Sequence, residues 1–198
     1  MIKELIFASR NKGKIAEVRD MLAPLGIMVK SALDLDLPDV EETGTTFAEN
    51  SLLKSQTIAK ALGLPCMADD SGLCVDALDG APGVYSARYA PERDFNKGMD
   101  KLLAAMAQSA DKSRLAHFSC VISLSWPDGH YELFEGRVDG HIAATKMFGD
   151  EGFGYDPLFI PVGYEISFSQ MSHEEKNKIS HRGRAMQKFK TYLEKLQG

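Results

Sequence analysis

Two adjacent carboxylates stand at the end of an apolar run, where Leu64-Pro65-Cys66-Met67-Ala68 gives way abruptly to Asp69-Asp70-Ser71-Gly72. An apolar segment of this length between Gly63 and Gly72 predicts a buried strand ending near Ala68, and open α/β sheets place ligands just beyond strand ends. Successive strand side chains point to opposite faces, so at most one of Asp69 and Asp70 is easily turned inward without a partner. The other must be charged, paired or bound to a metal. An Asx turn closed by Ser71-Gly72 explains the same residues structurally, and only the company the stretch keeps favours chemistry.

That company has the residue types of a phosphate site. Ser9-Arg10-Asn11-Lys12-Gly13-Lys14 lies between an apolar run, Lys3 to Ala8, and a helical repeat at Ile15, Val18, Leu22 and Leu25. Such a strand–loop–helix junction aims N–H groups and the positive end of a helix dipole at whatever sits above the strand. Ser9, Asn11 and Lys14 would add a hydroxyl, an amide and an ammonium. The competing reading is an Asn cap followed by two solvated lysines, since the G-x-x-x-x-G-K-[ST] spacing of a P-loop is absent. A polar link, Leu35 to Gly44, carries Asp36, Asp39, Glu41 and Glu42. The four acids fit a solvated loop, whereas Glu41-Glu42, just before the helix that leads into the Asp69-Asp70 strand, also suit a metal shared with that pair. Lys54 falls on the side of Asn50 or Ser51 in the next helix, directed into the site or exposed as an ordinary helical lysine.

Two later stretches carry residue types that a ligand could use. Gly149-Asp150-Glu151-Gly152-Phe153-Gly154-Tyr155-Asp156-Pro157 sets an aromatic between glycines, which permits close backbone approach and offers a stacking face. A tight loop whose aromatics cover the core is the alternative. His181-Arg182 stand at the entrance of the last helix, where the dipole disfavours cations, and a site that wants hydrogen-bond donors would explain them.

The elements that must position these residues follow in order. Gly26 ends the first helix, and Ile27-Met28-Val29 predicts a returning strand. Thr46-Phe47-Ala48-Glu49 is a capping-box pattern opening a helix through Leu52, Leu53, Ala59 and Leu62 to Gly63. Leu73 to Leu78 reads as another strand, and Gly80-Ala81-Pro82-Gly83-Val84-Tyr85-Ser86-Ala87-Arg88 as a punctuated loop. A helix spans about Asp94 to Ser109, with Met99, Leu102, Leu103 and Met106 on one face. Leu115 to Trp126 and Tyr131 to Val138 flank Pro127-Asp128-Gly129 as a hairpin, and His141 to Met147 is a candidate further strand. The last helix places Ala185, Phe189, Leu193 and Leu196 on one side.

Composition narrows the possibilities. The 198 residues are 44% hydrophobic and 26% charged, an ordinary soluble balance for one domain of two lobes at most. A net charge of −5 argues against nucleic acid or an anionic membrane as partner, so any phosphate must be gripped locally. No secretory segment and no apolar run near ~20 residues is present, predicting a cytoplasmic protein. Cys66, Cys74 and Cys120 are widely spaced among apolar neighbours and read as reduced core thiols. Repeats and low-complexity tracts are absent.

Together these stretches resemble the inosine/xanthosine triphosphate pyrophosphatase family, its bacterial dITP/XTP branch most closely. The resemblance spans the chain: Ser9-x-Asn11-x-x-Lys14, Glu41-Glu42-Thr43-Gly44 with Phe47-Ala48-Glu49-Asn50 and Lys54, Asp69 to Leu73, Gly80 to Arg88, Phe153 to Pro157, and Glu174-Glu175-Lys176 with Ser180-His181-Arg182-Gly183. It implies an elongated, two-lobed α/β fold with a long central mixed sheet flanked by helices, an active-site cleft between the lobes, a homodimer and Mg²⁺. It implies hydrolysis of deaminated purine nucleoside triphosphates to a monophosphate and pyrophosphate. Carried over by position, Ser9, Arg10, Asn11, Lys12, Gly13 and Lys14 hold the triphosphate, with Lys54 and Lys176 assisting. Glu42 and Asp70 hold the metal, Asp70 also accepts a proton from the attacking water, and Ser71 touches substrate. Phe153, Gly154, Tyr155 and Asp156 enclose the base, and His181-Arg182 read its edge. The adjacent Glu41 and Asp69 leave the metal assignment open by one residue each.

The chemistry is coherent with these residue types. Metal and lysines neutralise the triphosphate while a carboxylate deprotonates water. Arginine only donates, so Arg182 suits the 6-oxo group of hypoxanthine and xanthine and opposes the 6-amino group of adenine. Rejection of guanine must rest on its 2-amino group. A non-enzymatic nucleotide sensor would need no acidic metal cluster, a nucleic-acid module would need a basic stripe, and a related pyrophosphatase for modified pyrimidines or methylated bases would not be expected to carry His181-Arg182 after Lys176.

Overall fold

The computed structural model describes residues 2–35, 37, 39–150 and 152–197, so Asp36 in the acidic link and Glu151 in the glycine-rich loop lie outside the described residues. Among the described residues five α-helices, α1 (Lys12–Leu22), α2 (Phe47–Leu62), α3 (Phe95–Gln108), α4 (His173–Ile179) and α5 (His181–Gln197), accompany six strands, β1 (Glu4–Phe7), β2 (Met28–Ser31), β3 (Cys66–Val75), β4 (Leu115–Ser125), β5 (Tyr131–Ile142) and β6 (Phe159–Pro161). The strands form one mixed sheet in the order β2-β1-β3-β4-β5-β6. β1 pairs in parallel with β2 and β3, while β5 and β6 are antiparallel. This is the expected α/β class with a mixed sheet flanked by helices.

The opening elements follow from local signals. Ile15, Val18 and Leu22 bury one face of α1, and Gly26 closes the next turn at φ +67°, a left-handed conformation that favours glycine. The Thr46–Glu49 capping box is formed reciprocally, and Gly63 ends α2 at the same φ. The buried face of α2 carries Asn50, Ser51 and Ser55 beside Ile58 and Ala59. Ser51 Oγ donates to the Ala68 carbonyl at 3.1 Å, and a run of hydroxyl bonds links Ser51, Ser123, Ser55 and Ser125 at 2.7–2.8 Å. Small hydroxyls thus satisfy one another where apolar side chains would ordinarily fill the interface.

Three expectations are corrected. β3 does not stop at Ala68 but runs unbroken through Asp69, Asp70, Ser71 and Gly72 to Val75, so one strand replaces two and the Asx turn is excluded. The buried carboxylates have partners, so the backbone need not turn them out to water. His141 to Met147 adds no strand of its own, because β5 extends through Ile142 and its end pairs with β6. A Cβ on Gly140 would lie 2.3 Å from the Ile160 carbonyl oxygen, so glycine is what permits this pairing. The Glu174–Lys176 stretch, to which no element is assigned from the sequence, lies in α4, capped by Ser172. On α5, Ala185, Phe189 and Leu193 are fully buried, whereas Leu196 is exposed.

The chain divides into two compact units, the first comprising residues 1–70, 121–135 and 185–198, the second residues 71–120 and 136–184. The first has a core of Ile6, Ala32, Leu37, Ile58, Ala59 and Cys66. The second packs Leu73, Leu102, Phe118, Tyr155, Phe159 and Phe168 among its core residues. None of the cysteines is in a disulfide among the described residues; Cys66 and Cys120 are buried and Cys74 half-buried. Among the described residues no helix is long and apolar enough to cross a membrane.

Candidate active site

In the first unit, α1, the link before α2, α2 and β3 bring five charged side chains together. Asn11 caps α1, its Oδ1 accepting from the Lys14 N–H at 3.1 Å, and Ser9 Oγ accepts from the Asn11 N–H at 3.2 Å. The Asn cap is therefore present, and the turn it caps carries no acid to repel an anion. Lys14 reaches from this turn to Asp69 Oδ2. Lys54 Nζ donates to Glu42 Oε1 at 2.6 Å and to the Asp69 carbonyl at 2.7 Å, so it turns toward the acids and not to solvent. Asp70 Oδ2 accepts from Asn50 Nδ2 at 3.1 Å. Glu42 is half-buried while the adjacent Glu41 is exposed. Arg10 is drawn to the Leu37 carbonyl at 3.2 Å, and Lys12 and Gly13 lie exposed at the start of α1.

Three carboxylates and two ammonium groups share this volume, and their energetics are coupled. Burial pushes the Asp70 carboxyl up from 3.8 to about 6; Lys54 and the Asn50 hydrogen bond pull it down, while Glu42 and Asp69 push it further up. Burial disfavours the Lys54 ammonium, but Asp69, Asp70 and Glu42 outweigh that cost and hold its pKa above the ordinary lysine value. With three carboxylates facing two ammonium groups, the cluster favours a further cation when all are ionised. Among the described residues no three His, Cys, Asp or Glu side chains converge as a ready ligand set. Mg²⁺ needs no such cage, since it is commonly held by one or two carboxylates, with water and substrate phosphate completing its shell. Glu42 and Asp70 fit that requirement.

The second unit carries the aromatic loop. Phe153 is 63% exposed, and its ring meets Phe95 edge-on with centroids 4.8 Å apart. Gly152 and Gly154, at φ +118° and +66°, give the loop its tight course. Tyr155 instead belongs to the core: it is 3% exposed, and its hydroxyl donates to the Ser86 carbonyl at 2.9 Å. Tyr155 thus covers the core, while Phe153 leaves its ring largely exposed. Buried Asp156 accepts from the Phe153 N–H at 2.5 Å and pairs with Lys176, which places Phe153, Asp156 and Lys176 together. His181 begins α5 and stacks on Phe118 with ring centroids 4.7 Å apart. A Cβ on Gly183 would lie 1.8 Å from the Asn177 carbonyl oxygen, so glycine allows α4 and α5 to meet closely. Arg182 is half-buried beside His181, and Ser71 is half-buried on β3.

Sequence reasoning gave no role to Asn50 and did not foresee the serine chain. The available signal was the helical spacing of Asn50, Ser51, Ile58 and Ala59, which puts polar residues on an inward face.

The family model described as the Ham1 family matches residues 5–192. The chain belongs to the Ham1 family. It is 49% identical over 189 residues to a dITP/XTP pyrophosphatase of Ruegeria pomeroyi, covering 93% of this chain and 92% of that one. To a dITP/XTP pyrophosphatase of Rhizobium meliloti it is 50% identical over 202 residues, covering 94% of each. The solved structure of a HAM1 protein from Coxiella burnetii superposes with a TM-score of 0.93 at 39% identity, covering 98% of this chain and 100% of that one. In this Ham1 protein the acid–lysine cluster and the aromatic loop are thus assembled from the same stretches that carry the resemblance.

Proposed function

We propose that this protein hydrolyses deaminated purine nucleoside triphosphates, ITP and dITP, XTP and dXTP, to the monophosphate and pyrophosphate, keeping them out of DNA and RNA. The observation that carries the reading is the pairing of Lys14 and Lys54 with the acids around Asp69-Asp70, in a chain related over nearly its whole length to dITP/XTP pyrophosphatases. Ser9 to Lys14 and Lys54 hold the triphosphate, its oxygens replacing carboxylates as partners of the two lysines, and Lys176 assists. Asp70 takes a proton from the attacking water; with a pKa of about 6 it is ionised at neutral pH yet a stronger base than an ordinary aspartate. Glu42 and Asp70 would hold Mg²⁺, which when bound supplies neutralisation of the triphosphate and of its pyrophosphate leaving group. Ser71 contacts the substrate.

Phe153, Gly154, Tyr155 and Asp156 enclose the base, Phe153 through its exposed ring and the buried Tyr155 through its backbone. His181 and Arg182 donate toward the 6-oxo group. A homodimer working on the cytoplasmic nucleotide pool completes the reading, and light scattering on the purified protein tests the assembly. The function itself is tested with a panel of ITP, dITP, XTP, GTP and ATP in Mg²⁺. Strong preference for the deaminated nucleotides is expected, and equal use of ATP would overturn the reading.

A further inference from the structure

Asn50 is fully buried at the fourth position of α2, and its amide joins two pieces of the site. The Gly44 N–H donates to Asn50 Oδ1 at 2.8 Å, and Asn50 Nδ2 donates to Asp70 Oδ2 at 3.1 Å. A backbone N–H can only donate, so it must face the oxygen of the amide; this fixes which end of Asn50 meets Asp70. Gly44 follows Glu42 by two residues, and Glu42 is tied to Lys54. One side chain thus spans from the Glu42-bearing link to the Asp70 carboxylate. The approach is close enough to exclude a larger residue: a Cβ on Gly44 would lie 2.7 Å from Asn50 Oδ1 and 2.7 Å from Glu49 Cβ.

We propose that Asn50 is a positioning residue for the hydrolysis, setting the plane of the Asp70 carboxylate relative to the Glu42 link through its paired bonds to Asp70 and Gly44. It touches neither substrate nor water and acts through Asp70. A misplacement of a reacting group by about 1 Å can cost on the order of 100-fold in rate, so loss of this anchor falls on kcat. The proposal rests on the triphosphate pyrophosphatase reading given above.

The test is a double-mutant comparison of ITP hydrolysis, with pyrophosphate release measured for wild type, Asn50→Ala, Asp70→Asn and the double variant. Wild-type turnover decides the pyrophosphatase reading by itself; the ratios between variants decide the role of Asn50. Asn50→Ala is expected to lower kcat by ~10- to 100-fold with KM within about 3-fold, and to lower it less than about 2-fold further in the Asp70→Asn background. Asn50→Asp keeps an acceptor for Gly44 but loses the donor to Asp70, and Gly44→Ala displaces the amide from the opposite side. Both are expected to reproduce the selective kcat loss, and they decide the matter if Asn50→Ala does not fold. Equal losses in both backgrounds, or a loss expressed mainly in KM, would overturn the proposal.

Discussion

Replacing Asp70 by Asn is expected to remove most of the activity, leaving a measurable residue, while making the metal-free protein more stable at alkaline pH. Burial, with Glu42 and Asp69 adding to it, raises the Asp70 carboxyl from 3.8 to about 6. A carboxylate whose pKa is higher folded than unfolded stabilises the fold below its unfolded value, and that contribution is lost as pH rises through the folded value. At about 1.36 kcal/mol per unit, the shift corresponds to about 3 kcal/mol between pH 4 and pH 7. Asparagine carries no charge, and its Oδ1 still accepts from Asn50. For a chain of this size 1 kcal/mol moves Tm by about 2–4 °C, so Asp70→Asn should melt roughly 6–12 °C above wild type at pH 8 in chelator. The two should converge near pH 4. Thermal denaturation followed by circular dichroism between pH 4 and pH 8.5 measures the difference directly. A variant less stable than wild type at pH 8, or a difference that does not change with pH, would refute the account of Asp70 as a strained carboxylate.

Other predictions follow the same geometry. Activity should vanish in excess chelator and return with Mg²⁺, and wild type but not Asp70→Asn should gain thermal stability from Mg²⁺ alone. Phe153→Ala should lower kcat/KM for ITP and ATP by similar factors, because stacking worth about 1–3 kcal/mol is largely indifferent to base identity. Arg182→Ala should lower ITP use selectively, and an unchanged ITP-to-ATP ratio would move base reading to other residues. Ser55→Ala leaves two buried hydroxyls, on Ser123 and Ser125, without that partner; it should cost about 1–3 kcal/mol in urea denaturation, and a neutral effect would show that the hydroxyl chain adds nothing to stability.

The opening of the fold was legible because its signals are local. The Asn11 cap, the Thr46–Glu49 box and the glycines at 26 and 63 each act within a few residues, and all are found where spacing puts them. The course of β3 was not, because whether Asp69 and Asp70 break a strand depends on partners distant in the chain: Lys14 is 55 residues from Asp69, and Asn50 is 20 from Asp70. The pairing of β6 with β5 depends on the absent side chain of Gly140, which the sequence reading did not single out. At the site, residue types pointed to Lys14 and to the acid pairs at 41–42 and 69–70, and the resemblance singled out Lys54, Glu42 and Asp70. Which lysine meets which acid, and that Tyr155 turns into the core while Phe153 stays out, are decided by packing.

The central claim is cleavage of a deaminated purine triphosphate between its α- and β-phosphates. It is tested most directly by following an equimolar mixture of ITP and ATP with the wild-type protein and Mg²⁺ by ³¹P NMR. The account predicts that ITP disappears first, giving IMP and pyrophosphate in equal amounts while ATP persists. Release of inorganic phosphate with IDP, or consumption of both nucleotides at the same rate, would contradict it.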